Sequence, residues 1–186
     1  MLTRTDIIEI SLLDYEFEFA VMSTRSKLRG GYSGTRQDKA ERQKFLYRDN
    51  LVGSIGEVAL CKYLYGNITM YRFSQFIGER NSQMNVGDGG FDIPGLNLDV
   101  KSTFIKGRKD MLTYHLAVNQ REFKEHWNYV LALVEGDENS VGSVYLAGWL
   151  YGSDLDRLST PNETFSNSRA VQANLLNPLP RFNWSL

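Results

Sequence analysis

The residue types best suited to chemistry in this chain stand close together in "GDGGFDIPGLNLDVKST", residues 87–103. Asp92 falls in the apolar run "FDI", and Asp99-Val100-Lys101 falls in "LNLDVKSTF", with Pro94-Gly95 as a turn between them. An ionised carboxylate among Phe, Ile, Leu and Val is costly unless it is paired or holds a metal. The strand period of two puts Asp99 and Lys101 on one face and Val100 on the other. If the two runs pair as a hairpin, the Asp92 carboxylate approaches that of Asp99, and two carboxylates that close repel unless a cation sits between them. Oxygen ligands from two acids, a backbone carbonyl and waters suit Mg²⁺, at about 2.0–2.1 Å. A lysine beside such a cation can orient or deprotonate a water, or stabilise charge on a transferring phosphate. The chemistry implied is phosphodiester hydrolysis.

Other readings of the same residues are blander. Asp99 and Lys101 could form a same-face ion pair on an exposed sheet, worth little energetically. Asp88 in "GDGG" reads as a turn residue. His115 and His126 are too few and too scattered for zinc, and His115 in "LTYHLAV" suits a strand or loop. Cys61 is the single cysteine, no serine stands in a Gly-x-Ser-x-Gly setting, and no phosphate-binding Gly-rich Lys-Ser/Thr loop is present. Covalent nucleophile chemistry therefore has little support.

The elements that must position these residues follow from periodicity. Residues 4–28 carry apolar side chains at Ile10, Leu13, Phe17, Ala20 and Val21, a helical spacing. After the glycine-rich break "RGGYSG", a charged helix is expected from Gln37 to Tyr47. A second, in "DNLVGSIGEVALCKYLYG", buries Leu51, Ile55, Val58, Leu60, Cys61 and Leu64 and stops at Gly66. Gly53 and Gly56 cost helix propensity, which suggests close packing against another backbone. Three short β-type runs, "ITMYRF", "GFDI" and "LNLDVKSTF", precede a polar surface helix in "NQREFKEHWN" capped by Asn119. "YVLALVEG" and "SVYLAGWLYG", joined by the turn-forming "GDENSVG", read as buried strands. The result is an α/β protein with a mixed central sheet.

Asp92, six intervening residues and Asp99-Val100-Lys101, preceded by a helix bearing Glu57 in "GSIGEVAL", resemble the PD-(D/E)XK nuclease superfamily. Within it, "GDGGFDI" and "LDVKST" are similar to the small restriction-type and phage-encoded members. The resemblance spans roughly residues 50–135 and implies a restriction-endonuclease-like core of α-β-β-β-α-β order, a mixed sheet flanked by helices. It implies Asp92 and Asp99 as metal-binding acids, the Val100 carbonyl as a further ligand, Lys101 as the catalytic lysine, and Glu57 as a helical acid that binds or positions metal through water. Mg²⁺ is the implied cofactor, with Mn²⁺ able to substitute. Phe91 stands where the family's name has proline. Gln120 and Lys124 lie where related nucleases place a polar residue facing the phosphate.

At 186 residues the chain suits one domain: a basic helical segment over 1–49, the nuclease-like core over 50–135, and a C-terminal strand and tail over 136–186. The net charge of −1 makes no global case for a polyanionic partner. Positive charge nevertheless gathers at Arg25, Lys27, Arg29 and Arg36, and again at Lys106, Arg108 and Lys109, so these residues and Gln120 are expected to contact DNA. No apolar run approaches the roughly 18 residues of a membrane span, and one cysteine with no signal-like N-terminus points to the cytoplasm. Cutting both strands of a duplex suggests a homodimer. The reading is a Mg²⁺-dependent deoxyribonuclease, an endonuclease by resemblance. Its alternatives are a non-catalytic DNA- or protein-binding module on the same fold and a nuclease for branched DNA or RNA.

Overall fold

The computed structural model describes residues 1–28, 36–72, 97–159 and 167–181. Its centre is a four-stranded mixed sheet, built from β1 (Ile8–Ile10), β2 (Leu98–Ile105), β4 (Asn128–Gly136) and β5 (Val141–Tyr151) in the order β1-β5-β4-β2. β2 runs parallel to β4, with Asp99 opposite Tyr129 and Lys101 opposite Leu131, while the β4–β5 and β5–β1 pairs are antiparallel. A second, two-stranded sheet pairs β3 (His115–Asn119) with β6 (Ser168–Gln172).

The continuous apolar runs of β4 and β5 are explained by burial on both faces. Val130, Ala132, Val134, Val144 and Leu146 pack toward helix α2 (Arg36–Tyr65), together with Val100 of β2. Tyr129, Leu131, Leu133, Tyr145 and Ala147 pack the other way, onto Leu116 and Val118 of β3, Val171 of β6 and Leu155 of the short helix Gly152–Leu158. Helices thus flank a mixed central sheet, and the second face is shared with the β3–β6 sheet.

Helix α1 (Asp14–Lys27) is shorter than the expected 4–28. Ile8 and Ile10 alternate with the half-exposed Glu9 and pair with β5, so this stretch is a strand instead. Glu16, 1% exposed, accepts from the Leu13 backbone N–H at 2.8 Å and from Lys62 Nζ of α2 at 2.6 Å, which ties the two helices together. The expected break near Tyr47 does not occur. No Gly or Pro interrupts "FLYRDNLV", and Asn50 donates back to the Leu46 carbonyl at 2.7 Å, inside one continuous helix. Gly66, at φ 72°, ends it as the sequence predicts.

Two further expectations are corrected. Residues 69–72 of "ITMYRF" form a helical turn, because Asn67 Oδ1 accepts from the Thr69 N–H at 2.9 Å and Arg72 N–H reaches the Ile68 carbonyl at 3.0 Å. "NQREFKEHWN" is not a surface helix. Asn119 ends β3 and its Oδ1 accepts from the Arg121 N–H at 3.0 Å, starting a run of turns. The crossover from β2 to β4 therefore contains β3 and turns in place of the expected helix. "GFDI" lies outside the described residues.

Candidate functional site

β2 is at the edge of the sheet among the described strands, and its two faces divide its chemistry. Val100 packs against α2, while Ile105, of the same parity as Asp99 and Lys101, packs into the opposite layer. Asp99 is 8% exposed and its Oδ2 lies 3.1 Å from Lys101 Nζ. The same ammonium donates to Glu122 Oε2 at 2.9 Å. Glu122 is exposed and sits in the turns after β3.

These turns are held from below. The Tyr129 hydroxyl accepts from the Lys124 N–H at 2.6 Å and donates to the Lys124 carbonyl at 3.2 Å. Phe123 stacks on Tyr129 at 6.2 Å between ring centroids, and the Arg169 guanidinium covers the Phe123 ring at 3.9 Å. Because Tyr129 is the register partner of Asp99, one residue of β4 links the acid-bearing strand to the turns that carry Glu122.

Burial pushes the Asp99 carboxyl above its ordinary range; Lys101 opposes this, whereas the charges of Glu122 and Glu57 add to it. Desolvation pulls the Lys101 ammonium down, but Asp99 and Glu122 outweigh that effect and its pKa is raised. Lys101 is accordingly a cation at neutral pH. Glu57, 7% exposed on α2, stands beside Tyr71 and close enough to Asp99 for its charge to be felt there. Burial first, then the Glu57 carboxylate, lift the Tyr71 phenol far above its usual range, and its hydroxyl also donates to Ser23 Oγ at 3.1 Å.

α2 can carry Glu57 this close to β2 because Gly56 leaves no side chain between them. A Cβ there would meet Ser102 Oγ at 2.0 Å and Ala132 Cβ at 3.2 Å. The expectation of close packing holds for Gly56, against the side chains of Ser102 and Ala132 and not against backbone atoms. It fails for Gly53, where a Cβ would meet nothing within 4 Å.

A cleft of about 410 Å³ opens beside Lys101 on the face away from α2. Thr103, Thr113, Tyr114, His115, Ala117 and Leu131 are among the residues that line it. Neither Glu122 nor this lining announces itself in the sequence. Glu122 is one exposed glutamate among several charged neighbours, and Thr113, Tyr114 and His115 meet β2 only through tertiary folding.

Of the predicted set, Asp99 and Lys101 are in direct contact and Glu57, on α2, is near enough for its charge to reach Asp99, while Asp92 and Asp88 lie outside the described residues. Among the described residues no group of three or more Asp, Glu, His or Cys is placed to hold a metal. The donor chemistry present still fits Mg²⁺. Two buried hard-oxygen acids, Asp99 and Glu57, repel each other, and Mg²⁺ commonly takes only one or two carboxylates beside waters and substrate phosphates.

Of the basic residues, Arg25, Lys106, Arg108 and Lys109 are exposed, as is Gln120 in the turn after β3. Arg108 is held by Glu9 at 3.1 Å and Glu135 at 3.5 Å and lies over the Tyr145 ring, so much of its charge is spent within the protein. The Lys109 carbonyl accepts from Arg4. Lys27 and Arg36 lie on α1 and α2, and Arg29 lies outside the described residues. No helix among the described residues is long and apolar enough to cross a membrane.

No protein-family model, no curated protein and no solved structure matches the chain.

Proposed function

We propose that this protein is a metal-dependent nuclease of the PD-(D/E)XK type, acting on DNA. The observation that carries the proposal is a buried Asp99 bound to a charged Lys101 at the edge of a cleft, with the buried Glu57 close by. A site that merely bound phosphate would gain nothing from buried carboxylates near the Lys101 ammonium, since they repel the ligand.

Asp99 and Glu57 would hold Mg²⁺, with Asp92 and the Val100 carbonyl completing the set that the sequence suggests. When bound, the ion supplies Lewis-acid charge at the phosphate oxygens. Lys101 enters as an ammonium, because Asp99 and Glu122 keep its pKa raised. It would act by stabilising negative charge on the phosphate and holding it in place. Asp99 fixes the ammonium from one side, and Tyr71 stands beside the Glu57 carboxylate. In the hydrolysis, a bond forms from a water oxygen to phosphorus and one P–O ester bond breaks. The water's proton passes to solvent, and the leaving oxygen takes up a proton.

The test is cleavage of supercoiled plasmid and linear DNA with Mg²⁺, Mn²⁺ or EDTA, comparing wild type with Lys101→Ala and Asp99→Ala. The expected result is metal-dependent cleavage by wild type, reduced at least ~100-fold in either variant, the scale of a lost preorganised charge. If wild type binds DNA but cuts nothing with either metal, the three charges are an ion-pair cluster on a binding module and the proposal fails.

A further inference from the structure

Lys101 divides its surroundings into a charged side, with Asp99 and Glu122, and a cleft whose other walls are hydroxyls, an aromatic ring, an imidazole and aliphatic groups. Thr103 lies two residues beyond Lys101 on β2 and has the same strand parity. Across from it are Thr113 and Tyr114, which enter β3 from a 3₁₀ turn at Met111–Thr113, and His115 and Ala117 on β3. Hydrogen bonds hold their frame. Thr113 Oγ1 donates to the Asp110 carbonyl at 2.7 Å, and the Tyr114 carbonyl accepts from the Ala173 N–H at 2.7 Å. Tyr114 also packs against the buried cluster of the second layer, which fixes one side of its ring.

We propose that this cleft seats one unpaired nucleotide next to the scissile phosphate, so that the preferred substrate of the proposed nuclease is a single-stranded segment or end. The inference rests on the nuclease reading above and names its substrate class. A volume of about 410 Å³ lies at the small end of the roughly 300–1,000 Å³ range of small-molecule sites. It has room for one nucleotide and none for a base pair. With the phosphate at the Lys101 ammonium, sugar and base extend along the cleft, where Tyr114 offers a stacking face and Thr103 and Thr113 offer hydroxyls. Stacking on an aromatic ring tolerates any base, so the site selects an unpaired strand and not a base sequence. A base in a duplex must first be extruded, a cost that single-stranded substrate does not pay.

The experiment uses the full chain and two fluorescein-labelled probes of matched length, a single-stranded DNA oligonucleotide and a blunt duplex. Affinity is measured by anisotropy in EDTA, and cleavage separately with Mg²⁺. The single strand is expected to bind at least tenfold tighter than the duplex. Tyr114→Ala should weaken single-strand binding by about fivefold or more, the scale of one lost base–aromatic stack, and leave duplex binding unchanged. Tyr114→Phe should retain wild-type affinity, which separates loss of the ring from loss of fold, and circular dichroism checks that the alanine variant is folded. Equal affinity for the two probes, or single-strand binding unchanged in folded Tyr114→Ala, overturns the inference. If the preference and its Tyr114 dependence hold but nothing is cleaved, the nucleotide site stands and the nuclease reading falls. If both probes are cut at equal rates and bound equally, the nuclease reading stands and this inference falls.

Discussion

Asp99 concentrates the electrostatic cost of the site in one carboxyl, and its titration gives a direct test. Its pKa is raised in the folded protein, burial being the largest cause, so ionisation costs the fold more than it costs the unfolded chain. The folded state then holds its proton where the unfolded state has lost it, and this group's contribution to stability falls as pH rises from 3.8 through the raised value. Asp99→Asn removes that cost. Thermal melts at pH 3.5 and pH 7 in EDTA should show the variant gaining on wild type at the higher pH; a Tm difference that does not move with pH would mean that Asp99 ionises freely. Lys101 has the same sense in a higher window, with a stabilising contribution complete below 10.5 and lost as pH rises through its raised pKa. Glu122 differs from both because its side chain is 62% exposed. Glu122→Gln should change stability by less than about 1 kcal/mol. On the nuclease reading, removing the carboxylate that competes for Lys101 should tighten DNA binding up to about fivefold at low salt, as read by anisotropy. Weaker binding would mean that Glu122 serves the site by holding Lys101 in place.

Gly56 and Gly53 look alike in the sequence and differ in what they face, so the α2–β2 contact can be tested as a pair. The Cβ of Gly56→Ala would lie 2.0 Å from Ser102 Oγ, and 3.1 and 3.2 Å from the Ser102 and Ala132 Cβ atoms, so the Ser102 hydroxyl must turn away and α2 or β2 must shift slightly. Overpacking of this kind costs about 1–3 kcal/mol, or roughly 2–4 °C of Tm per kcal/mol in a chain of this size. Ser102 Oγ is buried and has no hydrogen-bond partner among the described residues. Ser102→Ala should therefore cost little and restore part of the loss when combined with Gly56→Ala. Gly53→Ala meets nothing and should stabilise by up to ~1 kcal/mol through helix propensity. A destabilised Gly53→Ala beside a neutral Gly56→Ala would reverse the assignment. The same contrast shows what the sequence could reveal. β4 and β5 were legible because both faces are buried and their apolar runs are unbroken, and Asp99 and Lys101 were legible because charge interrupts such a run. β1 was hidden by a helical spacing that continues into α1, and residues 69–72 were hidden because Asn67 works there as a cap, which β-type composition does not disclose. Glu122 and Tyr114 join the site only through contacts between elements, which no local period encodes.

Across the whole molecule the two buried layers lie back to back on one sheet, and the site sits where the second layer's turns meet the sheet's edge. The position of Glu122 thus depends on a point outside the cleft, the start of the short helix at Gly152. The Gly152 N–H donates to the Trp127 carbonyl at 2.8 Å, and a Cβ on Gly152 would lie 2.4 and 2.5 Å from the Lys124 and Glu125 carbonyl oxygens. Those atoms are backbone, so no rotamer change can make room, and Gly152→Ala must displace the segment that follows Glu122. Tyr129 holds the same segment from the other side through the Lys124 backbone, so displacement should break the Lys124 N–H bond to the Tyr129 hydroxyl. Hydrogen exchange is expected to show Lys124 losing protection while the amides of β4, held by ladders to both β2 and β5, keep theirs. The accompanying loss of stability should be about 1–3 kcal/mol. If Lys124 exchanges as in wild type and Tm is unchanged, the turns are not clamped between Gly152 and Tyr129, and the geometry of Lys101 and Glu122 must be set from within the cleft alone.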